Sequence, residues 1–147
     1  SFSMRSIHHR GTAENPGLVL ALSTDRKSFC EGLAFEVEQG KELATLEYLR
    51  GRELVSSAYL EKKVSLSLKN VQSIQSLVYG IDEGHAQYCK LTLDEQAKII
   101  ADAKGGRGPN DEYLYSTRNK IAELGINDDE IERLYTKVML IKNQKDD

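Results

Sequence analysis

The apolar residues of this chain change their spacing part-way along, and that change limits the fold more than any other feature of the sequence. Up to residue 81 the dominant pattern is alternation. Phe2, Met4 and Ser6 alternate with Ser3, Arg5 and Ile7, and Val64, Leu66 and Leu68 alternate with Ser65, Ser67 and Lys69; a two-residue period puts one set of side chains on one face of a strand. After residue 92 the period lengthens to three and four. Ala97, Ile100 and Ala101, then Leu114, Thr117, Ile121 and Leu124, then Ile131, Leu134, Val138 and Ile141 form stripes down successive helices. Strands followed by helices predict an α+β domain with a mostly antiparallel sheet or a small barrel, and argue against a doubly wound parallel sheet.

The boundaries can be read locally. The first strand runs toward Gly11, Pro16-Gly17 marks a turn, and the runs Leu18 to Leu22 and Cys30 to Val37 are expected to pair as a hairpin across the polar linker Ser23 to Ser28. Leu43, Leu46 and Leu49, with Ala44 and Tyr48 beside them, predict one short amphipathic helix between Gly40 and Gly51, with Gly51 closing it. Ile74 to Ile81 reads as a mostly buried strand, joined to the preceding one through Asn70 to Ser73. Thr92-Leu-Asp-Glu95 is a capping box. The glycine-rich stretch Lys104 to Pro109 breaks the helix begun at Thr92, Asn110 is expected to cap the next, and Gly125 to end that one. A last helix begins near Asn127, with Asp128, Asp129 and Glu130 at its positive end.

With 147 residues, 39% of them hydrophobic, the chain is expected to form a single domain that needs no metal or disulfide to hold its core. Its 20 basic and 23 acidic residues leave a net charge of −3, which argues against a nucleic-acid partner. No apolar run reaches the length of a membrane span, and the polar, basic stretch Ser1 to Arg10 does not read as a signal peptide. Cys30 and Cys89 lie in core-like sequence without metal-ligand spacing, and read as free thiols of a cytoplasmic protein.

Few residues suggest chemistry by themselves. His8 and His9 are adjacent, so on a strand they face opposite ways; one packed and one exposed histidine is the expected outcome, and no metal site is predicted. Gly105 to Asn110 precedes a helix, yet it lacks the spacing of a phosphate loop and does not follow a strand. Tyr113, in the first turn after it, can point at whatever occupies the loop. Glu47 and Arg50 are one turn apart and suit a surface ion pair. Glu53, just past Gly51 and before Leu54 and Val55, admits two readings. It is either a plain surface ion pair or a carboxylate desolvated beside the sheet, where a raised pKa would suit it to accept a proton.

Four blocks sharpen these alternatives: SIHHRGTAENPGLVLAL (Ser6 to Leu22), CEGLAFEV (Cys30 to Val37), YLRGREL (Tyr48 to Leu54) and GRGPNDEYL (Gly106 to Leu114). In this order they resemble the ChaC family of gamma-glutamylcyclotransferases. The resemblance implies a small β-barrel or curled sheet with flanking helices. It also implies an intramolecular aminolysis of glutathione to 5-oxoproline and cysteinylglycine, with no metal or organic cofactor. Glu53 matches the family's catalytic glutamate. Tyr113 matches a tyrosine expected to line the substrate pocket, and Arg10 fits the pattern either as a substrate contact or as a support for the barrel.

One departure stands against this. The family's first strand ends in a Tyr-Gly-Ser-Leu turn that holds the γ-glutamyl group, and these 147 residues do not contain it; Tyr79-Gly80 is followed by Ile81 and Asp82. The chain is therefore expected to enter the family pattern after that strand and substrate loop. Alternative readings follow: a non-catalytic member acting as a binding or regulatory protein, or a cyclotransferase for other γ-glutamyl dipeptides. A missing strand also predicts self-association through an exposed sheet edge.

Overall fold

The structure, a computed structural model, describes residues 1–24, 28–69 and 72–146. It divides into two compact units, one made of Ser1–Ala21 and the chain from Gln87 onward, the other of Leu22–Ala86.

In the first unit β1 (Phe2–Ser6) and β2 (Gly17–Leu20) form an antiparallel ladder with Met4 opposite Val19 and Arg5 opposite Leu18. Four helical and hairpin elements follow: α2 (Leu93–Asp102), a two-residue ladder of β5 (Lys104–Gly105) with β6 (Gly108–Pro109), and α3 (Asn110–Glu123) with α4 (Asp129–Asp146). The predicted stripes meet here. Phe2 and Leu18 from the strands pack with Ala97 and Ile100 of α2, Leu114 of α3 and Ile131, Leu134 and Val138 of α4. Each such buried aliphatic side chain contributes about 1.5–3 kcal/mol relative to exposure. The local signals for the helix ends hold: Thr92 Oγ1 accepts from Glu95 N while Glu95 Oε2 accepts from Thr92 N at 2.8 Å. Gly125, at φ +70°, follows α3, and Asp128 Oδ1 accepts from Ile131 N to start α4.

In the second unit α1 (Glu42–Glu53) precedes β3 (Tyr59–Ser67) and β4 (Ser73–Ile81), an antiparallel hairpin in register from Tyr59 opposite Ile81 to Ser67 opposite Ser73. Of the connection expected at Asn70 to Ser73, residues 70 and 71 lie outside the described residues, as do 25–27 of the linker Ser23 to Ser28.

The α+β class is as expected, but the described strands form three two-stranded antiparallel sheets and no closed barrel. Cys30 to Val37 is not a strand and does not pair with Leu18 to Leu22; Phe29 and Phe35 on this stretch are 89% and 86% exposed. The reason lies in β2, which has β1 on one side and the Asn110 carboxamide bonded to the backbone of Leu18. Cys30 is accordingly exposed, and Cys89 alone of the two thiols is buried. α1 runs through Gly51 to Glu53, and no residue of it is fully buried: Leu46 and Leu49 of its leucine stripe are part-buried and Leu43 is exposed. β4 is buried only at Gly80 and Ile81, because a two-stranded hairpin has no layer over its far end.

Candidate active site

The first group of candidate residues is assembled where the β1–β2 loop meets the β5–β6 turn. Ser6 Oγ accepts from Arg10 N at 3.0 Å, and Thr12 N donates to the Asn15 carbonyl, so the loop carries its own hydrogen bonds. The two segments are then laced together: Gly106 N donates to the His8 carbonyl at 2.8 Å and Arg107 N to that of His9 at 2.9 Å. Such close approach requires glycine. A Cβ on Gly11 would overlap Gly17 N, and one on Gly105 would stand 2.5 Å from Gly11 N. Gly105 to Asn110 is therefore a packed hairpin whose Gly106 and Arg107 amides are already bonded, and not an anion cradle. Both histidines are exposed, against the expectation that one is packed, because the loop uses their carbonyls and not their rings.

Asn110 does not cap α3 as predicted. Pro109 precedes the helix, Asn110 is its first residue, and the carboxamide turns into the interior toward Leu18. Its backbone N donates to the Ala103 carbonyl, which fixes where α3 begins. That start places Tyr113 in the first turn and brings it to Arg10. The Arg10 guanidinium carbon lies 5.6 Å from the Tyr113 ring centroid, within cation–π range, while Nη1 donates to the Pro109 carbonyl at 3.1 Å and stands 3.9 Å from Glu112 Oε2. Phe2 meets the same ring edge-on at 5.9 Å. Two residues named separately from sequence thus lie in contact: a guanidinium 20% exposed, suited to a carboxylate, over an aromatic ring.

Glu53 stands in the second unit. It is the last residue of α1 and does not follow a helix stop. Its side chain is 26% exposed, and Arg52 Nε donates to its Oε1 at 2.9 Å, so the ion pair weighed from sequence is present. Arg52 is pushed above its ordinary pKa, first by its hydrogen bond with Tyr48 and then by the Glu53 charge.

A second network near the end of α1 was not legible beforehand. Arg50, expected to pair with Glu47, reaches β3, where Nε and Nη2 donate to Glu61 Oε2 and Oε1 at 2.7 and 2.6 Å. Tyr79 OH donates to the same Glu61 Oε2 at 3.0 Å. The Arg50 hydrogen bonds hold Glu61 below its ordinary pKa, and burial, followed by the Glu61 bond, pushes Tyr79 up. Glu61 and Tyr79 are directly opposite in the β3–β4 register. That half of the network could have been found by folding the hairpin about residue 70, whereas nothing in the spacing of Arg50 and Glu61 points to their contact.

Among the described residues no cluster of His, Cys, Asp or Glu is arranged to hold a metal ion, and no helix is long and apolar enough to cross a membrane.

Comparison with known proteins shows the family. The family model described as ChaC-like protein matches residues 1–141. The chain belongs to the ChaC-like family. Among curated ChaC-like relatives it is 30% identical over 139 residues to the glutathione-specific gamma-glutamylcyclotransferase of Escherichia coli, covering 94% of this chain and 59% of that protein. It is 36% identical over 109 residues to glutathione-specific gamma-glutamylcyclotransferase 1 of Danio rerio, covering 72% of this chain and 56% of the relative. The chain therefore spans little more than half the length of these two proteins. Its fold matches the crystal structure of a gamma-glutamylcyclotransferase specific to glutathione from yeast, with a TM-score of 0.76 at 20% identity, over 97% of this chain and 85% of that one.

Proposed function

We propose that this ChaC-like chain, as one domain, degrades glutathione as a gamma-glutamylcyclotransferase. The observation that carries the proposal is the similarity, across 94% of the chain, to a bacterial relative named as glutathione-specific.

The reaction we assign needs no water and no cofactor. The neutral α-amine of the γ-glutamyl group attacks its own γ-carbonyl carbon. A carbon–nitrogen bond closes the five-membered lactam, and the bond to the cysteinyl nitrogen breaks. Glu53 takes a proton from the α-ammonium group, since only the free amine is nucleophilic, and delivers it to the leaving nitrogen. Atoms balance as 5-oxoproline plus cysteinylglycine. Glu53 is given this role by its match to the family's catalytic glutamate; its carboxylate is part-exposed at the end of α1, with Arg52 beside it. Arg10 and Tyr113 are assigned to the substrate, the guanidinium for a carboxylate and the ring for the pocket wall.

We place the protein in the cytoplasm. We also propose that copies associate through an exposed sheet edge, with the exposed Phe29, Leu33 and Phe35 adding apolar surface to such a contact. A monomeric sedimentation profile over a wide concentration range would count against it.

The test of function is to incubate the protein with glutathione and follow 5-oxoproline, alongside the Glu53→Gln variant. Product from the parent and none from the variant supports the proposal. No product from the parent would favour a binding role. Undiminished product from the variant would remove Glu53 from the chemistry, and equal turnover of other γ-glutamyl dipeptides would widen the substrate class.

A further inference from the structure

The helix that carries Glu53 has little apolar packing to hold it. None of the residues of α1 is buried, and Leu43 and Tyr48 are 78% and 64% exposed. Leu46 and Leu49 are only part-buried, so apolar packing fixes the axis and rotation of this helix weakly. What ties its final turn to the hairpin is polar. Arg50 grips both oxygens of Glu61 with two N–H bonds, and Tyr79 OH gives the same carboxylate a third. Bidentate guanidinium–carboxylate pairing fixes orientation as well as distance. Arg50 also opens the turn that contains Glu53, since its carbonyl accepts from Leu54 N at 3.0 Å, and positions three apart lie on one helix face. At the strand end the anchor is firm, because Glu61 and Tyr79 face each other within a nine-residue ladder.

We infer that Arg50, Glu61 and Tyr79 form a latch that fixes the last turn of α1 on the β3–β4 hairpin and thereby sets where the Glu53 carboxylate stands. They are positioning residues for that carboxylate, and the inference rests on the reading of Glu53 as acid and base. None of the three needs to touch substrate. Their effect is on how often Glu53 is found where the α-ammonium proton can be reached, which belongs to kcat and not to KM.

The experiment uses the full chain and pairs kinetics with amide hydrogen exchange. Arg50→Gln is expected to lower kcat for glutathione by about ten- to a hundredfold with KM little changed, the scale of a small misplacement of a reacting group. Exchange at residues 51–54 should rise in the same variant, while exchange along 59–63 and the melting temperature stay as in the parent. Tyr79→Phe, which removes one of three bonds, should show the same pattern more weakly. The charge-exchanged pair is decisive: Arg50→Glu and Glu61→Arg should each lose activity, and the double variant should recover at least about tenfold, as coupled partners do.

An Arg50→Gln protein with unchanged kcat, or with unchanged exchange at 51–54, overturns the latch, as does a double variant no better than its parents. A parent protein that does not turn over glutathione overturns the acid and base reading of Glu53. In that case the exchange at 51–54 still decides whether the latch exists.

Discussion

The side chain of Asn110 occupies both backbone hydrogen-bonding groups of Leu18: Leu18 N donates to Oδ1 at 2.6 Å, and Nδ2 donates to the Leu18 carbonyl at 2.7 Å. Both residues are fully buried. The carboxamide stands where an adjoining strand would, and it couples β2 to the first turn of α3, 92 residues away in sequence. Asn110→Ala leaves two buried backbone groups without partners, each costing about 1–3 kcal/mol, so a loss of about 2–5 kcal/mol is expected in urea unfolding. A loss below about 1 kcal/mol would mean that the Leu18 backbone finds other partners.

This bond explains why some of the architecture was legible in the sequence and some was not. Thr92 with Glu95, and Gly125 after α3, act within a few residues, so their signatures identify the helix ends correctly. The stripes through Ile100, Leu114 and Leu134 likewise report their own burial. Asn110 reads locally as a cap, because asparagine before a helical pattern usually is one, and only tertiary structure shows its carboxamide turned toward Leu18. The apolar run Cys30 to Val37 has the composition of a strand but is not one, and the Leu18 backbone it was expected to meet is already bonded to Asn110. At the site, Glu53 and Tyr113 stood out by position and were given roles through family resemblance, which alone named Arg10. The partners of the Glu53 helix were not, because the Arg50–Glu61 contact depends on how α1 meets β3.

The Tyr113 hydroxyl offers a clean separation of binding from stability. Packing against Phe2 and the cation–π contact with Arg10 both use the ring, and no hydrogen bond from the hydroxyl is found among the described residues. Tyr113→Phe keeps both contacts, so its melting temperature should match the parent. If the hydroxyl meets substrate, KM for glutathione should rise by about five- to tenfold, the scale of one lost hydrogen bond. A normal KM would confine Tyr113 to packing between α3 and the β1–β2 loop.

The two thiols should differ in reactivity. Cys30 is exposed, whereas Cys89 is buried, its backbone N–H donates to the Ser3 carbonyl, and burial pushes its thiol pKa up. Because the thiolate is the reactive form, Cys89 is protected both by access and by protonation. Titration of the folded protein with a disulfide reagent at pH 8 should release one equivalent rapidly and the second only in denaturant. Rapid reaction of both would show that the core around Cys89 opens on the timescale of the assay.

Acid should weaken the fold through three carboxylates. Glu61 is lowered by its Arg50 hydrogen bonds, Asp94 by the bond from Lys137, and Glu95 by the backbone and side chain of Thr92. In each case the folded chain binds the proton more weakly than the unfolded chain. The stability they contribute is present above their ordinary values, 4.5 for the glutamates and 3.8 for Asp94, and is lost as pH falls through the depressed folded values. The melting temperature should therefore be level from neutral pH down to about 5 and then decline. Glu95→Gln isolates one contribution, because the amide oxygen still accepts from Thr92 but carries no charge. That variant should melt lower than the parent at pH 7, fall less steeply below pH 4.5, and meet the parent curve only once the pH lies below the depressed folded value, where Glu95 is protonated in both states of the parent. Parallel curves across the whole range would show that the capping-box charge contributes nothing to folding.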